Sequence, residues 1–223
     1  MGQARISVIV PATGAADTIN GLVDHIRVVG YGTPLEIIIA DGDPAGSTLF
    51  ALDRQGVTAL TAGPGPVERQ NAAAAVAGGD ILLFLPMEAR LPVGAFQAVA
   101  DALAGPADAG LFSLAYRPRG LVSRLAAWLA NRRCRWCRRP AAGQVLFVRS
   151  DLYRAVGGFS ARTGNPPQAF VQALTALGAR VALVPLAASV PLAMAGPIAR
   201  LRRLLRLPWR RRPQAFDQTA SNT

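Results

Sequence analysis

The sequence predicts an α/β domain with a mostly parallel central sheet and helices on both faces. Three observations predict it. Near-continuous apolar runs, each short enough to be a strand, alternate with helical patterns through the first half. Such runs, without polar alternation, belong to strands buried on both faces, as parallel strands are. The chain has 223 residues, 51% of them apolar, which suits one sizeable domain with a full core.

The elements follow in order. "RISVIVPA" is a strand, and Asp17 to Val29 a helix with Ile19, Leu22, Val23 and Ile26 on one face. "LEIIIAD" is a strand, Ser47 to Gln55 a short helix, and "VTALTAG" a strand. Pro66 to Val76 is an Ala-rich helix with proline at its start, where the missing N–H costs nothing. "DILLFLP" is a strand, and Pro92 to Leu103 a helix with Phe96, Val99, Ala100 and Leu103 inward. "AGLFSLAY" is the next strand. Leu121 to Cys137 reads as a helix with Leu121, Leu125, Trp128 and Leu129 on one side and arginines on the other. "GQVLFVRS" is a strand, with Asp151 placed to cap the following helix, which "GGF" ends. Pro167 to Leu177 is a helix and "RVALVPL" a strand. The expected organisation is a domain over 1–195, a basic amphipathic helix over 196–213 and a disordered tail over 214–223, with no internal repeat.

The formal net charge is +11, and its distribution is uneven. From Arg117 onward there are nineteen arginines and two acids, Asp151 and Asp217. So basic a half favours anionic partners: phospholipid, nucleic acid or phosphate esters. No helix-turn-helix or RNA-binding signature is present, so nucleic acid is not the expected partner. In "IARLRRLLRLPWRRR", Ile198, Leu201, Leu204 and Leu205 recur at helical spacing beside Arg202, Arg203, Arg206 and Trp209. That pattern predicts an interfacial helix on an anionic membrane surface or, equally, a solvated basic helix docked on its own domain. The N-terminus runs straight into a strand with no signal-peptide pattern, so the expected location is cytoplasmic, peripheral on the inner face of the cell membrane. Val181 to Ala199 is uncharged, but Pro185, Pro191 and Pro197 predict a buried strand and an irregular segment rather than a membrane span. The pair "CRWC", Cys134 and Cys137, is half a zinc site, and His25, the one histidine, lies in a distant helical segment; an incidental thiol pair is expected.

In open α/β sheets, ligands bind beyond the carboxyl ends of the strands. Those ends are Pro11-Ala12-Thr13, Asp41-Gly42-Asp43, Gly63 to Pro66 and Pro86-Met87-Glu88. No G-x-G-x-x-G follows the first strand and no Walker lysine exists, which excludes dinucleotide and P-loop sites. Carboxylates at such ends suit a divalent metal on a diphosphate, or hydrogen bonds to a base or ribose; equally, Asp41 and Asp43 can simply cap a turn.

The blocks "ISVIVPA", "EIIIADGD", "RQNAAAAVAGGDILLFLPMEARLP" and "GQVLFVRSDLYRAVGGF" resemble, in order and spacing, those of family 2 glycosyltransferases of the GT-A fold. The likeness runs from about Arg5 to Pro185 and is nearest to a small bacterial branch whose blocks end in a His-Ala-Asp-Thr turn. It implies that Pro11 and Ala12 line a nucleotide pocket and that Asp41 contacts the base of a nucleotide-sugar. Arg69 and Asn71 would approach the nucleotide and frame the pocket. Glu88 matches the last acid of an Asp-Xaa-Asp-type turn, which binds Mg²⁺ or Mn²⁺ on the sugar diphosphate. One glutamate can suffice for Mg²⁺ when phosphate oxygens and water complete the shell.

The departures fall on chemical positions. The His-Ala-Asp-Thr turn reads Pro86-Met87-Glu88-Ala89, and the acceptor-side Glu-Asp-Xaa-Asp motif is replaced by "NPPQAF", Asn165 to Phe170. No acid occurs between Asp151 and Asp217, so the family's general base is missing and no catalytic residue is assigned. A phosphate acceptor is already anionic and needs no base. The implied function is sugar transfer from a nucleotide-sugar donor to a membrane-associated acceptor, lipid phosphate included. The alternative is a catalytically inactive binding or scaffold protein of the same family.

Overall fold

A computed structural model describes residues 4–194, apart from 138, 142 and 163. The basic helix expected over 196–213 and the tail over 214–223 lie outside the described residues.

The elements run β1 (Ile6–Ala12), α1 (Ile19–Val29), β2 (Leu35–Asp41), α2 (Ser47–Ala51), β3 (Val57–Thr61), α3 (Pro66–Val76), β4 (Ile81–Phe84), α4 (Ala95–Ala104), β5 (Ala109–Arg117), α5 (Leu121–Cys137), β6 (Leu146–Arg149), α6 (Ser150–Val156), α7 (Pro166–Ala176) and β7 (Val181–Pro191). The strands form one seven-stranded sheet in the order β3-β2-β1-β4-β6-β5-β7. β1 to β4 are parallel; β6 runs antiparallel to both β4 and β5, and β7 parallel to β5. The sheet is thus mostly parallel, as the apolar runs predict.

Alternate side chains feed two cores. Val8 and Val10 of β1 and Leu83 of β4 pack under α1 and α4. Ile9 and the β4 residues Leu82 and Phe84 pack under α3, α6 and α7. Four aromatic rings, Phe84, Tyr153, Phe159 and Phe170, stack tilted or edge-on in the second core. β7 is an edge strand, and its register to β5 jumps from Phe112↔Val184 to Ser113↔Ala187. Pro185, which has no N–H to donate, falls in that irregularity.

α2 ends at Ala51 rather than Gln55, and Ala100 of α4 is exposed rather than inward. Three further expectations are corrected. The turn ahead of α4 extends to Gly94, whose φ of +79° is left-handed, so the helix begins at Ala95 rather than Pro92. Asp151 is not the cap of α6. It lies in the first turn and accepts the Leu152 N–H at 2.7 Å, still well placed for the positive end of the helix dipole. The third concerns α5, whose bounds match but whose inner face does not. Buried Ser123, Ala126 and Cys134, with Ala127 and Ala130, form the inner face. Asn131 fixes that approach by pairing both main-chain groups of Leu114 on β5, at 2.8 and 3.0 Å. The large apolar residues point outward: Leu121 is 85% exposed and Trp128 52%. Arg132 lies among them, over the rings of both Trp128 and Trp136. No described helix is long and apolar enough to cross a membrane.

Candidate functional site

β5 is antiparallel to β6 and β6 to β4, so the carboxyl ends of β1, β4, β5 and β7 all point the same way. A cleft of about 530 Å³ opens there. Pro11, Thr13 and Gly14 form its floor at the end of β1. Glu88 comes from the turn after β4, Arg69 from the first turn of α3, Arg117 from the end of β5 and Pro191 from the end of β7.

The turn Pro86-Met87-Glu88-Ala89 is closed by the Ala89 N–H donating to Pro86 O at 2.9 Å. Two guanidiniums hold its other carbonyls. Arg90 Nη1 donates to Met87 O and Ala89 O, each at 2.9 Å, and Arg117 Nη2 donates to Glu88 O at 2.7 Å. Arg90 is fixed by its main chain too, through two bonds with Ser189 of β7, each 2.9 Å. Burial, and then the Arg117 charge, push the Arg90 guanidinium below its usual pKa, while Glu88 opposes them. Behind the turn, His25 Nε2 accepts the Leu91 N–H at 3.1 Å. Burial and the charges of Arg90 and Arg117 lower the His25 pKa.

The residues singled out in the sequence fall in different places. Pro11, Arg69 and Glu88 line the cleft. Ala12 is buried beneath it. Asp41 is fully buried; its Oδ1 accepts the Asp43 N–H at 3.1 Å, and its Oδ2 has no hydrogen-bond partner among the described residues. Asp43 acts as a turn cap, its carboxylate taking the N–H groups of Ala45 and Ser47 and the Ser47 hydroxyl. Arg69 lies over Gly42, where any Cβ would collide with its guanidinium; it donates to Pro64 O, and its Nε is buried without a partner among the described residues.

Asn71 does not line the cleft. Its Oδ1 accepts the Tyr153 hydroxyl at 2.6 Å and the Phe159 N–H at 3.0 Å, and its Nδ2 donates to Phe159 O at 2.9 Å. It ties α3 to the segment after α6. Arg90 and Arg117, absent from the sequence-based set, are the added cleft residues. The signal that could have found Arg117 is its position at the end of a strand.

The charge of the cleft, more than its single carboxylate, argues against the divalent metal that the resemblance implies. Mg²⁺ and Mn²⁺ take hard oxygen ligands, usually carboxylates. Glu88 is the one carboxylate among the lining residues, and three guanidiniums share its cleft. No group of three or more His, Cys, Asp or Glu gathers anywhere among the described residues. Glu88 is thus the acidic member of a cationic cleft.

No family model matches the sequence, and no curated protein matches it. Solved structures do. The chain is similar to the mannosyltransferase PcManGT from Pyrobaculum calidifontis, solved with GDP-Man and Mn²⁺: TM-score 0.64, 21% identity, covering 91% of this chain and 61% of that one. It is similar to S. aureus TarS 1–349 in complex with UDP-GlcNAc: TM-score 0.60, 17% identity, 84% and 58%. It is also similar to mannosyl-3-phosphoglycerate synthase from Rubrobacter xylanophilus: TM-score 0.56, 19% identity, 92% and 76%. The chain spans about three-fifths of the length of the first two. The fold is that of the GT-A glycosyltransferases, as the resemblance implies.

Proposed function

We propose that the chain is a glycosyltransferase that binds a nucleotide-sugar in the cleft and passes its sugar to an acceptor at an anionic membrane surface. The observation that carries this is the cleft itself: a pocket at the carboxyl ends of the strands, lined by three guanidiniums suited to a diphosphate. The buried Asp41 Oδ2, left without a donor, supports it. An orphaned acceptor costs about 1–3 kcal/mol, which an N–H of the base or a ribose hydroxyl would offset.

The acceptor that suits this chain is a phosphate. Its oxygen attacks the anomeric carbon, the bond from that carbon to the diphosphate breaks, and the electron pair leaves with the nucleoside diphosphate. No proton has to be removed, which agrees with the absence of acids between Asp151 and Asp217. Exposed Leu121, Leu125, Trp128 and Leu129, with Arg124 and Arg132 on the same helix, support peripheral attachment at the inner membrane face. α5 starts four residues beyond Arg117, so a membrane-held acceptor would lie beside the cleft.

Titration of the chain with UDP, GDP and their sugars, followed by assay with a polyprenyl phosphate in anionic vesicles, tests this. Binding with release of the nucleoside diphosphate is expected. No binding by any nucleotide would defeat the proposal. Binding without turnover would favour a non-catalytic scaffold, the reading that the missing acceptor-side acids also favour.

A further inference from the structure

We infer that the cleft grips a diphosphate directly through Arg69, Arg90 and Arg117, in place of a divalent metal. For the identity of the ligand this rests on the nucleotide-sugar proposal; the charge and geometry are independent of it.

None of these three arginines forms an ion pair with a carboxylate among the described residues. Among the described residues the ion pairs are Arg5–Glu36 and Arg54–Asp24, both away from the cleft. Arg69, Arg90 and Arg117 donate instead to the carbonyls of Pro64, Met87, Ala89 and Glu88. A carbonyl positions a guanidinium without cancelling its charge. Each guanidinium has five N–H donors, so each keeps donors for an incoming ligand, and Arg69 Nε is already buried and unpartnered among the described residues. Three cations against the single charge of Glu88 leave an excess of two, the charge of a nucleotide-sugar diphosphate. A divalent cation would add two more positive charges to that excess.

The three side chains come from α3, the turn after β4 and the end of β5, so they converge from different directions. Their positions are set beforehand. Arg90 is held by the Ser189 bridge, and Arg69 by its seat over Gly42. Fixed donors aimed at a leaving group that gains charge do the work ordinarily given to a metal.

The test is calorimetric titration of the full chain with UDP, GDP and inorganic pyrophosphate in EDTA, then with UDP and GDP in Mn²⁺. Affinity in EDTA is expected within about two-fold of that in Mn²⁺, and Arg117→Gln to weaken every probe about ten-fold. Arg124→Gln, on the outer face of α5, should change cleft binding by less than about two-fold. Glu88→Gln should tighten binding, since it removes the opposing charge. A nucleotide that binds only with Mn²⁺, or that is lost in Glu88→Gln, would overturn the inference. So would equal weakening by Arg117→Gln and Arg124→Gln, which marks unspecific attraction. Thermal unfolding of each variant separates lost binding from lost fold, and Arg117→Lys, which keeps the charge but not the fork, should fall between. Metal-free binding of pyrophosphate with no binding of UDP or GDP would defeat the nucleotide-sugar proposal and leave the arginine site standing.

Discussion

Asn71 shows how one side chain can serve the fold under a motif that suggests the ligand. Its amide satisfies a phenol, an N–H and a carbonyl contributed 82 and 88 residues further along. Burial raises the Tyr153 pKa, so the phenol stays a donor to Asn71 throughout the ordinary pH range. Asn71→Ala would leave those groups unsatisfied beside the aromatic cluster, at a cost of about 3 kcal/mol. Urea unfolding checks this, and a loss below about 0.5 kcal/mol would contradict it. His25 gives a second prediction. Its folded pKa lies below the usual 6.5, through burial first and then the charge of Arg90. Below about pH 6.5 the unfolded chain therefore binds more protons than the folded one. The contribution of the neutral ring is complete above that pH and is lost as pH falls towards the lower, folded value. Between pH 7.5 and 5.5 the urea midpoint should fall more for the native chain than for His25→Gln, whose amide oxygen can still accept the Leu91 N–H. Equal falls would show that His25 is not the group responsible.

At the scale of elements, α5 separates what periodicity reveals from what it conceals. Periodicity places the helix over Leu121–Cys137, but the large apolar residues that dominate the pattern face outward. The inner face is made of small residues because the helix lies close to β5, where Asn131 reaches the Leu114 main chain. Sequence patterns weigh side-chain size and polarity, not the distance between two elements. A pair of neighbouring substitutions tests the assignment. Ala126→Leu, at a position 2% exposed, should cost about 1–3 kcal/mol by overpacking. Leu125→Ser, at 59% exposed, should stay within about 0.5 kcal/mol of the native chain. A reversed order in chemical denaturation would turn the helix over. β1, β2 and β4 were readable because buried parallel strands are continuous apolar runs, and the ends of β1 and β4 that bear Pro11 and Glu88 were readable with them. Arg90 and Arg117 were not. Their meeting at Glu88 depends on the Ser189 bridge and on the pairing of β5 with β7, contacts between segments about 100 and 75 residues apart.

For the whole molecule, the excess charge of +11 and the outward face of α5 act together. Arg132 stacks over Trp128 and Trp136, so cation and ring are presented as one amphipathic surface, as at a bilayer interface. Exposed charges interact over a screening length of about 10 Å at 0.1 M salt and about 3 Å at 1 M. The proposed attachment through α5 should therefore be strong on vesicles rich in phosphatidylglycerol at low salt, fall steeply towards about 0.5 M salt, and be weak on phosphatidylcholine at any salt. Arg69 and Arg90 are partly shielded within the cleft, so nucleotide binding should lose less over the same range. Co-sedimentation and calorimetry across one salt series compare the two directly. Trp128→Ser should weaken vesicle binding and leave nucleotide affinity unchanged, because Trp128 does not line the cleft. Vesicle binding that survives both high salt and Trp128→Ser would remove α5 as the attachment surface. Loss of nucleotide binding at the same salt as vesicle release would instead put the cleft arginines in open solvent.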